Sequence, residues 1–400
     1  MLEKIRSVPV VTSAELENDA HEAFRRYRAS YPFVALDTGG YVILRHEDVR
    51  KLIADPRLRA TETAMPVQGG ITEGALFDIF QHGMLTANAS VHARRRSAMS
   101  RALANQLSDA FRRHVRLAAK GLLEDCYHDG RLELAAGYAA KLPVIALAGM
   151  FGIPDRDVPQ FMHDIYEMNE FFRPHATAES VSKAEAAAAR LQRYLGVLLT
   201  RTTAGQAEGF LSHYLKLAEE DDLSSAEVLI QIIQLIIGGT ESVRTAIVAQ
   251  AAGLLSSPDQ WRAVCDDPAL VPDAVAEALR FEPGIAGVVR VSVEDIDVDG
   301  WTLPAGQLVI LSSISALRDE RVFEHADSFD IFRPNLALSR LTFGGGAHRC
   351  VADALGRAEL EESLAALTER LPNLSLDSAP KFYGHLFVRK STECWITWQP

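Results

Sequence analysis

Residues Ala226 to Leu255 constrain the fold most. They read as one long helix, apolar nearly all round (Val228, Leu229, Ile230, Ile232, Ile233, Leu235, Ile236, Ile237). A helix without a polar face runs buried through the middle of a protein. Yet this one contains Gly238-Gly239-Thr240-Glu241-Ser242. Two interior glycines cost roughly 1 kcal/mol each relative to alanine. A buried carboxylate costs more unless it is paired or hydrated. Function is expected where local rules conflict in this way. Ser242 lies four residues after Gly238, so its hydroxyl can reach the Gly238 carbonyl and open a local kink.

A second stretch breaks local rules. Phe343-Gly344-Gly345-Gly346-Ala347-His348-Arg349-Cys350 carries three consecutive glycines, which mark backbone that turns tightly or approaches something closely. A helical pattern follows (Ala354, Leu355, Ala358, Leu360, Leu364, Leu367). Cys350 therefore sits at the mouth of a helix, where peptide dipoles favour a thiolate. Such a thiolate could be a nucleophile, a redox sensor or a metal ligand.

Composition narrows the classes. The net charge of −12, without a long basic run, argues against duplex nucleic acid. The four cysteines, Cys126, Cys265, Cys350 and Cys394, show neither CxxC nor zinc spacing and fit free thiols in a reducing, cytoplasmic compartment. Met1-Leu2-Glu3-Lys4-Ile5-Arg6 has no apolar signal core, and no run of eighteen apolar residues occurs. No membrane anchor is expected.

In chain order, Ser13 to Ser30 reads as a helix capped by Ser13 and stopped by Pro32. Phe33–Leu36 and Tyr41–Leu44 flank a turn as a hairpin, and His46 to Leu52 begins another helix. Thr61 to Asn88 reads as loops around a short helix, Ala75 to Phe80, a pattern common in substrate loops. His92 and Arg96 are four apart on one helix face and could hold an anionic group, while Arg94 and Arg95 point elsewhere, toward an acidic partner. Phe161 to Phe172 and Ser180 to Thr200 read as helices joined through Arg173-Pro174-His175. Short strands follow from Val291 to Val298 and Leu308 to Ser313, with a turn at Gly300. No repeat or linker divides the chain, so residues 1–400 read as one mainly α domain with a small β-rich region.

Together these motifs resemble the cytochrome P-450 family, soluble bacterial kind. Phe343, Gly344, Gly346, His348 and Cys350 match the haem-ligand loop; Ala352 departs from it, where many members have glycine. The resemblance implies the P-450 fold and haem b (iron protoporphyrin IX) with Cys350 as axial thiolate, electron-rich enough to favour O–O cleavage. It implies that His92, Arg96, Arg290 and His348 bind propionates. Gly238 and Gly239 would make room for dioxygen, and Ser242 and Glu241 would deliver protons. Ser242-Val243 stands where the family usually has two threonines. Glu277 and Arg280, three apart, with Arg333, match a buried ion network. Ile285, Val288, Val289, Leu386 and Phe387 would line the substrate pocket, and Met162, Met168, Phe171 and Phe172 the lid.

The implied activity is a monooxygenase inserting one atom of O2 into an apolar small molecule of terpenoid, steroid, aromatic or acyl type, in secondary metabolism. Electrons would come from a ferredoxin with an NAD(P)H-dependent reductase, and the protein would be a monomer. The rivals are a peroxide-driven peroxygenase, against which Glu241 and Ser242 argue, and a non-catalytic P-450-like partner, against which Cys350 argues.

Overall fold

The computed structural model describes residues 8–104, 106–172, 176–202 and 209–400. The Met1–Arg6 stretch and the Arg173-Pro174-His175 junction lie outside them.

The central helix runs Ser225–Leu255 and starts with a capping box, in which Ser224 accepts from the Glu227 amide and Glu227 reaches back to Ser224. Its first half packs with Met99, Ile165, Leu191 and Leu195, and its second with Val275, Leu364 and Leu367. Each aliphatic side chain buried this way contributes about 1.5–3 kcal/mol. Among the described residues this is the one helix long and apolar enough to cross a membrane, but 61% of its most apolar window is buried inside the fold. Helices Ala89–Ala104, Lys141–Phe151, Val158–Asn169, Ala178–Arg201, Val271–Phe281 and Asp353–Arg370 surround it.

The β-rich region holds a six-stranded sheet in the order Val10–Val11, Phe33–Leu36, Tyr41–Ile43, Leu308–Ser312, Gly287–Ser292, Leu58–Arg59. The expected hairpin forms in antiparallel register, Phe33 opposite Ile43. The first helix, Ser13–Arg28, is capped by Thr12 rather than Ser13, because Thr12 and Glu15 complete a capping box while the Ser13 hydroxyl donates to Asp37. An additional short helix, Ala64–Gln68, forms within the region read as loop.

Helix Ala75–His82 is held at both ends by distant side chains. Glu185 accepts from the Ala75 and Leu76 amides at 2.6 and 2.9 Å, which satisfies two donors of the first turn. Gln231 and Gln234 of the central helix accept from the Met84 and Leu85 amides and donate to the His82 and Ile79 carbonyls. Glu185→Ala is expected to cost about 1 kcal/mol, as loss of an N-cap does. Hydrogen exchange should show faster Ala75 and Leu76 amides, and unchanged protection would refute the clamp.

One fully buried carboxyl has no such partner. Glu359 lies inside helix Asp353–Arg370, and its Oε1 has no hydrogen-bond partner among the described residues. Burial pushes this carboxyl up to about 8. Its folded pKa lies above the unfolded value, so its contribution to stability is full below about pH 4.3 and is lost as pH rises through about 8. Glu359→Gln should therefore be close to neutral in acid and stabilising by up to ~5 kcal/mol above pH 8. Urea midpoints at the two extremes measure this; equal differences would refute it.

Candidate active site

The glycine loop closes on itself, the Cys350 amide donating to the Phe343 carbonyl at 2.8 Å. Gly344 and Gly346 have φ of +73° and +59°, a region that side chains disfavour. A Cβ on Gly346 would also lie 3.1 Å from Ala54 Cα. The loop thus presses against Ile53-Ala54 and delivers His348 and Cys350 at a fixed distance from that wall.

Three elements bring nitrogen donors together here. Helix Ala89–Ala104 supplies His92 and Arg96, strand Gly287–Ser292 supplies Arg290, and the loop supplies His348. The His92 and His348 rings lie 3.9 Å apart between centroids. Burial pushes His348 down to about 3, with Arg290, His92 and Arg96 adding to it. Burial also lowers His92, with Arg96 and Arg290, and holds Arg290 down to about 10. Among the described residues no carboxylate acts on Arg96 or Arg290; Arg290 donates to the Val289 carbonyl at 2.8 Å. Desolvated guanidinium groups without an anion are costly, so this cluster is built to receive one.

Cys350 is exposed to solvent-sized space, yet desolvation by the surrounding chain raises its pKa. That burial outweighs the Ala352 amide and the Arg96 and Arg349 charges, which lower it. In the polypeptide by itself desolvation outweighs the helix-mouth effect, because the helix begins only at Asp353. A metal cation before the sulfur would reverse the balance, since coordinated thiols are deprotonated. A thiol beside unpaired cations fits a group carrying a metal and carboxylates together, as haem does.

The conflict in the central helix resolves as the spacing predicts. Ser242 Oγ donates to the Gly238 carbonyl at 2.7 Å. Gly238 is exposed within an otherwise mostly buried helix, so this turn opens onto a space. Gly284 lets the following chain approach, since a Cβ there would lie 2.3 Å from the Ser242 carbonyl oxygen. Glu241 is buried, with Arg244 3.4 Å from Oε1 and Lys390 3.9 Å from Oε2.

Glu277 and Arg280 pair at 2.7 Å, both fully buried, and Arg333 joins Glu277 at 3.1 Å. Ile285 bridges Val388, joining the two strand segments read as pocket walls. Val288 instead packs with Leu52, Ile53 and Leu341, and Val289 and Leu386 pack with Ala286 and Ile310. Phe387 is exposed and lies 6.4 Å from Phe172, which with Phe171 and Phe80 forms an aromatic cluster between helix Ala75–His82 and the lid. Met162 and Met168 pack in the main core.

Arg94 and Arg95 do not await an outside partner: both donate to Glu227, Arg95 at 2.9 Å. Sequence reading passed over Asn169 and Lys390, which border Glu241. Asn169 ends a helix that already carries Gln160, His163, Asp164 and Glu167, so neither it nor Lys390 stood out in the sequence.

Residues 268–381 match the model of the cytochrome P450 family. A plant-inducible cytochrome P450, pinF1, of Rhizobium radiobacter is 33% identical over 98% of this chain and 92% of its own length. The nocardicin C N-oxygenase of Nocardia uniformis subsp. tsuyamanensis is 32% identical over 95% of this chain and 96% of its own. Among solved structures, a myxobacterial cytochrome P450 in complex with myristic acid superposes with a TM-score of 0.86 at 26% identity, covering 97% of this chain and 98% of that one. With the thiol loop, the desolvated Arg96 and Arg290 beside it and the Ser242 bond to Gly238, these likenesses make the chain a member of the cytochrome P450 family.

Proposed function

We propose that the protein is a single-domain haem-thiolate monooxygenase acting on an apolar small molecule of secondary metabolism, in which Cys350 would hold the haem iron. The observation that carries this reading is the thiol of Cys350 beside His92, Arg96, Arg290 and His348, which lack an anion of their own. Bound there, haem supplies O2 activation by a thiolate-ligated iron. His92, Arg96, Arg290 and His348 would hold its carboxylates, and the glycine loop would keep the sulfur in place. Ser242, bonded to the Gly238 carbonyl, passes protons from Glu241. Phe80, Phe171, Phe172 and Phe387 exclude water and orient an apolar substrate. The named activities of relatives, a nocardicin C N-oxygenase and a mycinamicin IV hydroxylase/epoxidase, support a substrate of secondary metabolism. Electrons come from a ferredoxin with an NAD(P)H-dependent reductase, which meets Arg340 and Arg349 on the thiol side; both are partly exposed and share Asp353.

The test is the visible spectrum of purified protein, reduced under carbon monoxide. A strongly red-shifted Soret band is expected, and a band at the position of neutral-ligand haem would overturn the Cys350 assignment. Ser242→Ala should keep this band while product per NAD(P)H falls several-fold. Unchanged coupling would remove Ser242 from the proton route.

A further inference from the structure

The end of the lid, the central helix and a C-terminal strand meet at a small cavity lined by Asn169, Phe172, Ile237, Glu241, Val388 and Lys390. Its volume of about 10 Å3 is that of one water position. Asn169 and Glu241 are 3% and 4% exposed, and their Oδ1 and Oε2 atoms have no hydrogen-bond donor among the described residues.

The direction of the Asn169 amide is fixed by its neighbour. The Thr240 hydroxyl has one proton and donates it to the Ile236 carbonyl at 3.0 Å. It can therefore only accept from Asn169, whose Nδ2 lies 3.2 Å away. Oδ1, an acceptor, is left over. Lys390 Nζ donates to Glu170 Oε1 at 3.0 Å and has two protons to spare. Its 3.9 Å separation from Glu241 Oε2 is too long for a hydrogen bond and suits a bridging water.

We propose that one ordered water occupies this cavity, accepting from Lys390 and donating to Asn169 Oδ1 and Glu241 Oε2. Asn169 and Lys390 are then positioning residues that fix the Glu241 carboxylate beside Ser242. This rests on the reading of Glu241 and Ser242 as the proton route. Side-chain exposure falls from 33% at Glu170 to 13% at Lys390, so the water lies at the inner end of a polar path from solvent. A proton given by the water to Glu241 is replaced along that path. Glu170 and Asn169 close the lid helix, so lid position and proton supply are set by the same contacts.

The test combines structure and kinetics on the holoenzyme. A high-resolution crystal structure should show a water within hydrogen-bond distance of Asn169 Oδ1, Glu241 Oε2 and Lys390 Nζ, absent in Asn169→Leu. Lys390→Met should lower product per NAD(P)H several-fold and raise the solvent deuterium isotope effect on turnover. Substrate affinity and the carbon-monoxide spectrum should not change, and Lys390→Arg should restore coupling in part. A purely structural role would move the melting temperature without moving the isotope effect. A dry cavity in the wild-type crystal overturns the proposal. So does a silent Lys390→Met beside a Glu241→Gln that changes both coupling and isotope effect. A silent Glu241→Gln overturns the proton-route reading itself, and the positioning role with it.

Discussion

Glu277→Ala is expected to lower stability by about 3–5 kcal/mol, the usual cost of removing one partner of a buried ion pair. Glu277 Oε1 accepts from Arg280, from Arg333 Nε at 3.1 Å and from the Asp330 amide at 2.7 Å, and Oε2 accepts from Arg280 Nε at 2.7 Å. Without it, two buried guanidinium groups lose their shared counter-charge in a medium that screens them poorly. Their other donors are already committed. Arg280 donates to the Leu317, Ala326 and Ser328 carbonyls, and Arg333 to those of Glu324, His325 and Ser328. The pair thus holds the whole Leu317–Ser328 turn by its carbonyls. Helix Val271–Phe281 also packs on Leu336–Phe343, which leads into the glycine loop. Haem content should fall together with the urea midpoint. Glu277→Gln should lie between wild type and Glu277→Ala, since the amide keeps an acceptor and loses the charge. A Glu277→Ala loss below about 1 kcal/mol would show the charges to be relaxed by water.

Cys350→Ser is expected to abolish the red-shifted band of the reduced, carbon-monoxide-bound protein and to bring product formation to background. The thiol's surroundings explain why no substitute serves. Burial raises its pKa, and a serine hydroxyl starts several units higher, so it gives up its proton far less readily. Arg96, Arg290 and the two imidazoles beside the loop are untouched by the change, and haem should still bind through them. Retained haem with a shifted spectrum therefore separates ligation from binding. A full red-shifted band in Cys350→Ser would move the axial ligand elsewhere in the chain.

Local spacing carried much of this site. Glu277 with Arg280, and Gly238 with Ser242, are neighbours one helical turn apart, and both contacts form where the pattern puts them. The long apolar helix also ends within a residue or two of its reading. What stayed hidden were contacts between side chains far apart in sequence. Glu185 on the first turn of helix Ala75–His82, Glu227 under Arg94 and Arg95, and Lys390 beside Glu241 follow no period. The desolvation of Cys350 was hidden for a related reason: the helix dipole is a local effect, and desolvation is set by everything packed around the sulfur.

The six-stranded sheet has a consequence for how the chain is made. Strand Tyr41–Ile43 pairs with Val309–Leu311, and Leu58–Arg59 pairs with Val291–Ser292. Such high contact order delays pairing. During synthesis the N-terminal hairpin emerges early and waits, its open edge unsatisfied, until the last quarter of the polypeptide leaves the ribosome. An unpaired edge of Tyr41, Val42 and Ile43 is a template for association with other nascent chains. Yield in a host cell is then governed by translation speed and chaperone supply, independently of how stable the finished enzyme is.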